Sequence, residues 1–257
     1  MWTRKELKDV AKKSLARNYW PAVAVSLIFA ILGGGSGIGY SYNSYSSSSG
    51  TADIQENLFS FENIDLSFII PFVITIIAAS LVFMLIGLAI QIFVVYPMTI
   101  GGKRFFIMNG LENHHAPVGM LGYGFKDGRY SNTVKTIFLK DLFQWLWSLL
   151  LIVPGIIKGY EYRMIPYLLA ENPEMDHQTA FALSKKMMTG EKLNAFILDW
   201  SFFGWILLSV LTCGILSIFY VTPYTDFTNA QLYLTLRSRL ENEGLLAQYG
   251  LNGFEEA

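Results

Sequence analysis

DLSFIIPFVITIIAASLVFMLIGLAIQIFVVYPMTIGGK, residues 65–103, carries a formal charge only at its two ends. A helix needs about 20 apolar residues, at ~1.5 Å of rise each, to cross the hydrocarbon core of a bilayer. From Ser67 to Tyr96 this stretch therefore holds a span with length to spare for tilt. Pro71 falls in its first turn, where a missing N–H costs nothing, and Pro97 is expected to close it.

Outward from this stretch the same signal repeats. No residue is charged between Arg17 and Asp53, between Asp141 and Lys158, or between Trp200 and Tyr224. Overall, 53% of the 257 residues are apolar and only 15% charged. Water-soluble domains carry about 25% charged residues, so lipid is the expected solvent. The region from Tyr19 to Gly39 reads as the first span, with Tyr19 and Trp20 as interfacial aromatics. The region from Val134 to Ala170 would make a single helix of roughly 55 Å, nearly twice the core. It is therefore read as a hairpin turning at Val153-Pro154-Gly155. The region from Asn194 to Leu236 is a second hairpin, turning at Cys213-Gly214.

Lysine and arginine placement supports that count. Clusters at 4–17, 103–140, 185–192 and 237–239 all fall on one side if both hairpins cross twice, and residues 41–66 contain none. By the positive-inside rule that side is the cytoplasm. The expected fold is an all-α, polytopic transmembrane bundle of about six membrane segments, two of them as Pro/Gly-turn hairpins, with an N-terminal amphipathic interfacial helix. Residues 1–17 form that helix and 18–240 a single membrane domain, with an outer loop at 41–66 and inner loops at 101–133 and 171–193. Residues 241–257 form an acidic cytoplasmic tail, expected to be exposed.

Thr3 and Glu6 form a capping box, and Leu7, Val10, Ala11, Ser14 and Leu15 share one face. Opposite them lie lysines, which suits an anionic membrane surface. Asp176 is expected to cap a short helix through Met188 that Gly190 ends. The serine-rich outer loop reads as a spacer, and GMLGYGFKDGRY (119–130) as a segment resting at the interface. A weak repeat relates Gly155-Ile156 before Pro166-Tyr167 to Gly214-Ile215 before Pro223-Tyr224. Gly87-Leu88 before Tyr96-Pro97 is a fainter copy.

Ionisable residues inside spans are the default functional candidates, because an unpaired charge there is expensive. Lys158, Glu161, Arg163 and Asp199 form the candidate intramembrane polar site. Lys158 and Glu161 are three apart and share a helical face. Arg163 lies where it can snorkel, and Asp199 sits about one turn into its segment. Each also has a plainer role, as a structural ion pair or a headgroup contact. Asp141 beside Lys140, and Asp226, are weaker candidates. His114-His115 lack the further ligands that zinc needs, and Cys213 has no histidine near it in sequence. No phosphate loop, nucleophile elbow or zinc-protease motif is present. The expectation is no enzyme activity, no metal, no cofactor and no nucleic acid, with the lipid bilayer and a possible membrane protein as partners.

Several motifs are familiar together. These are Arg4-Lys5-Glu6-Leu7-Lys8, Asn18-Tyr19-Trp20, Tyr162-Arg163-Met164, Leu169-Ala170-Glu171-Asn172-Pro173, and Ser184-Lys185-Lys186-Met187-Met188-Thr189-Gly190. Leu198-Asp199-Trp200-Ser201, Leu211-Thr212-Cys213-Gly214 and Pro223-Tyr224 complete the set. The sequence resembles a bacterial multi-pass membrane family, domain of unknown function 975, most strongly from Leu149 to Tyr224. The resemblance implies a bacterial plasma-membrane location and supplies no catalytic residue. The functional expectation is a non-enzymatic membrane module for a protein or lipid partner, tied to envelope or export processes. The alternative is a small transporter or permease subunit using the intramembrane charges.

Overall fold

The computed structural model describes residues 2–32, 66–111, 115–126 and 128–254, and their regular structure is entirely helical. The uncharged stretch quoted above becomes helix α3 (Leu66–Ile90), a wider π-helical turn at Gln91–Val95, and helix α4 (Tyr96–Gly110). From Ile70 to Gly110 they make one helix of 41 residues. Pro97 does not close it. The proline cannot serve the carbonyl four residues back, Phe93, and the Tyr130 hydroxyl donates to that oxygen at 2.9 Å. Widening of the turn before Pro97 also makes room for its ring.

The proline instead marks a change of surroundings. Every residue from 70 to 90 is exposed, whereas Tyr96–Gly110 is buried apart from Met98. The inner loop expected at 101–133 is thus a central helix over its first ten residues. Its cations Lys103 and Arg104 are only 4% and 3% exposed. Hydropathy could not reveal this, since Lys103, Arg104 and Asn109 give α4 the polarity of a loop, while two of the groups that satisfy them, Asp226 and the Ala170 carbonyl, lie far along the chain. A 3-10 stretch, Val118–Phe125, packs along α4. Gly101 and Gly124 permit the approach: a methyl group at either would collide with the carbonyl of Met120 or Pro97.

Helices α1 (Arg4–Arg17) and α2 (Tyr19–Ile31) meet at a bend of 96°. The Thr3–Glu6 capping box is present. Leu7, Ala11, Ser14 and Leu15 are buried against protein, which corrects the interfacial reading of α1. An amphipathic face asks only for an apolar neighbour, and here that neighbour is the helical body. The outer end of the first span and the loop at 41–66 lie outside the described residues, apart from Leu66.

The first hairpin joins α5 (Tyr130–Leu150) to α6 (Ile152–Glu161) through Leu151, which is fully extended. The turn precedes the expected Val153-Pro154-Gly155. Pro154 sits in the first turn of α6, where no N–H is required. Gly155 is where α6 touches α5, since a Cβ there would lie 2.5 Å from Ser148 Oγ. Helix α7 (Ile165–Glu171) follows, and α8 (His177–Met188) is capped by Asp176 and ended by Gly190 at φ 80°.

The second hairpin runs up through α9 (Lys192–Trp200) and α10 (Phe203–Leu211) and returns in α11 (Thr222–Asn242). Cys213 and Gly214 make its turn with φ of 51° and 83°. A second π-helical turn, Ser217–Val221, precedes Pro223. Pro97, Pro166 and Pro223 therefore each open a buried helix, and α4 packs against both α7 and α11. That is the structural content of the sequence repeat.

The tail is not loose. Leu251 and Phe254 are buried. The Gly253 N–H and the Arg237 guanidinium both donate to Glu171, which corrects the exposed-tail expectation at Leu251, Gly253 and Phe254, whereas residues 241–244 are exposed as expected.

Candidate functional site

Three helical rows converge between the two hairpins. Row one is Lys140, Gln144 and Ser148 on α5, row two Tyr160, Ile156 and Ile152 on α6, and row three Asp199, Phe203 and Ile206 on α9 and α10. They enclose a cavity of about 530 Å³, whose base is completed by Lys103, Tyr167 and Asn229. That volume is within the usual range of small-molecule sites.

Arg163, just beyond α6, reaches across the cavity wall to α9. Its Nη1 and Nη2 donate to the two carboxylate oxygens of Asp199, both at 2.7 Å. The Tyr160 hydroxyl donates to Asp199 at 2.8 Å, and Arg163 also donates to Asn229 Oδ1 at 2.7 Å. These contacts tie the end of the first hairpin to both arms of the second, α9 and α11. Arg163 does not snorkel, because it has a carboxylate to meet within the protein.

The other two candidate residues lie elsewhere. Lys158 meets Glu161 at 2.6 Å, and Lys192 approaches the same carboxylate from the start of α9. Glu161 is 5% exposed and stands outside the cavity lining. The Ser184 hydroxyl donates to its backbone carbonyl at 2.6 Å. The four candidates therefore form two ion-pair groups, and only Arg163–Asp199 faces the cavity.

Sequence reading passed over a third pair. Lys103 meets Asp226 at 2.9 Å, with side chains 5% and 0% exposed, and the Lys103 ammonium lies 5.2 Å from the centre of the Tyr167 ring. The two residues are 123 apart in sequence, so no local spacing could have joined them. Asp141 pairs with Lys140 at 2.7 Å. On the side away from the hairpin tips, Glu191 meets Arg239 and Asn194. Burial alone would raise the Glu191 pKa, but these donors win and hold the carboxyl below its ordinary value. Among the described residues no three His, Cys, Asp or Glu side chains converge on a metal position. His114 is outside those residues.

The fold and cavity define an all-helical protein with two described helices, Ile70–Gly110 and Lys192–Leu211, long and apolar enough to cross a membrane. A family model described as protein of unknown function (DUF975) matches residues 149–240, both hairpin returns and all of α7 to α10 included. No curated protein and no solved structure matched the chain.

Proposed function

We propose that the protein is a non-enzymatic module of the bacterial plasma membrane, with about six membrane segments and both termini in the cytoplasm, that holds a lipid or a membrane-protein partner. The distribution of exposed apolar side chains carries this reading. They cover α3 from Ile70 to Ile90 and run along α5 and α6 from Phe138 to Ile157. They also run along α9 and α10 from Leu193 to Leu211. The 20 residues Lys192–Leu211 make about 30 Å of helix, the thickness of the hydrocarbon core. Most of the ion pairs lie away from the hairpin tips. The plasma-membrane and bacterial parts rest on the family resemblance, and the orientation on the lysine and arginine distribution. Of the two kinds of partner, lipid is favoured, because the apolar faces of α1 and α8 are covered within the molecule.

Cys213 gives the test. It is the one cysteine in the sequence, it is exposed, and it forms the tip of the second hairpin. With six full crossings it lies at the outer surface, and a membrane-impermeant maleimide added to intact cells labels it. Labelling only by a lipid-soluble maleimide means that the hairpins re-enter, leaving α2 and α3 as the crossings. Recovery of the protein in the soluble fraction would reject the membrane reading outright.

One observation favours a second reading, a small transporter: Arg163 and Asp199 line the cavity. Loss of solute flux on Asp199→Asn, in vesicles where the variant stays folded, would select it.

A further inference from the structure

Helix α1 commits its apolar face to α11 and α4 and turns its charges outward. Arg4, Lys8 and Lys12 follow at four-residue intervals and form one row, with Lys5 beside it. Lys8 is half-buried and the other three are exposed. Of the two carboxylates on α1, Glu6 accepts from the Thr3 N–H in the cap, and Asp9 stands beyond Lys5 around the helix. Among the described residues no carboxylate pairs with any of these four cations. The cavity cations Lys103, Lys140 and Arg163, by contrast, each meet an aspartate.

What the row does touch is uncharged. The Lys8 ammonium donates to the Ser201 carbonyl at 3.3 Å and lies 4.1 Å from the centre of the Phe202 ring. The Lys12 ammonium lies 5.9 Å from the centre of the Tyr224 ring. Such partners orient an ammonium group without cancelling its charge. Burial pushes the Lys8 pKa down, and the charges of Lys12 and Arg4 push it down further, so the row repels itself. Exposed carbon borders it on two sides. Ser201 and Phe202 join α9 to α10, where the adjacent Trp200 and Phe203 are exposed, and Trp20 is exposed where α1 gives way to α2.

We infer that the Arg4–Lys8–Lys12 row, with Lys5, binds the phosphate headgroup of an anionic membrane lipid. This deepens the lipid-holding reading above and rests on it. Phosphate oxygens can bridge cations one helical turn apart and relieve their repulsion. The carbon beside the row selects a lipid over a soluble acidic protein, since a lipid brings charge and hydrocarbon together. Attachment is through charge alone, because the apolar stripe of α1 is already covered by protein.

The experiment is native mass spectrometry of the purified full-length protein in detergent, offered phosphatidylglycerol and phosphatidylcholine of identical chains. The expected result is retention of phosphatidylglycerol at about tenfold over phosphatidylcholine. Arg4→Gln with Lys12→Gln takes two exposed charges from the row and brings that preference to within about twofold of equality. Lys13→Gln with Lys185→Gln takes as much charge from exposed positions off the row and leaves the preference intact. Equal retention of the two lipids by the unaltered protein overturns the inference and leaves the row to an acidic protein surface. An unchanged preference in the row variant, or an equal loss in both double variants, overturns it as well. Displacement of the lipid by glycerol 3-phosphate at equal concentration overturns it in favour of a free-phosphate site. Cys213 labelling is read in cells and does not depend on these outcomes, so failure of the lipid site and failure of the membrane reading are separable.

Discussion

The Tyr130 hydroxyl reaches the Phe93 carbonyl at 2.9 Å, from the first turn of α5 to the π-helical turn before α4. It serves the acceptor that an ordinary residue at position 97 would serve through its own N–H. Two helices that meet nowhere near each other in sequence are joined there by the chemistry of one proline.

That relationship predicts a double-mutant cycle. Tyr130→Phe leaves the Phe93 carbonyl with one donor fewer and should cost about 1–2 kcal/mol. Pro97→Ala restores an N–H to the helix, so Tyr130→Phe on that background should cost much less. Thermal unfolding of the four proteins in one detergent measures the coupling. Equal costs on both backgrounds would assign the tyrosine another role.

The clasp between the hairpins is the second case. Asp199→Ala strands the Arg163 guanidinium between α6, α9 and α11, which should destabilise by about 3–5 kcal/mol. Arg163→Lys keeps the charge but cannot make two parallel bonds and also reach Asn229, so a loss of about 1–2 kcal/mol is expected. A lysine variant as unstable as Asp199→Ala would mean that packing, rather than bidentate recognition, dominates here.

Gly155 carries the third. A β-branched residue there meets Ser148, with Cβ 2.5 Å from Oγ and 2.7 Å from Cα. Because one of those atoms is backbone, α6 must move away from α5. Gly155→Val should therefore destabilise by about 1–3 kcal/mol. The companion Gly204→Val, where nothing lies within 4 Å of the added carbon, is the control and should change stability far less.

Acid sensitivity supplies the fourth. The Glu191 carboxyl titrates below its ordinary value of about 4.3 when folded, held there by Asn194 and Arg239 against the effect of burial. A group with a depressed folded pKa stabilises the fold above its unfolded pKa, and the contribution disappears as pH falls through the folded value. Wild type should exceed Glu191→Gln in melting temperature at pH 6 and lose that margin below about pH 4. Arg239 is 40% exposed, so the margin corresponds to less than about 1 kcal/mol.

Local signals were legible in the sequence. The Thr3–Glu6 box, the Asp176 cap, the stop at Gly190 and the turn at Cys213-Gly214 depend on residues within a few positions of one another. So does the Lys158–Glu161 pair. What was illegible depends on partners far along the chain. Lys103 looked like a cytoplasmic loop charge because Asp226, which neutralises it, arrives 123 residues later. The apolar stripe on α1 suited either lipid or protein, and only α11 and α4 decide between them. Pro154-Gly155 marked the first hairpin but misplaced its turn, since proline is equally at home just inside a helix. Of the site, the residue types were visible, but the pairing of Arg163 with Asp199 across 36 positions was not.

Glu171 is fully buried at its side chain, with Arg237, Tyr233 and the backbone of Gly253 as its donors. All three are translated after it, the last 82 residues later. During synthesis this carboxylate waits at the end of α7, and a nascent chain stopped anywhere short of residue 237 leaves it with neither its cation nor its tail. The junction of α7 and α11 thus sets an order of assembly in time: the first hairpin can form early, but the body packed against it can lock only when translation has passed the second.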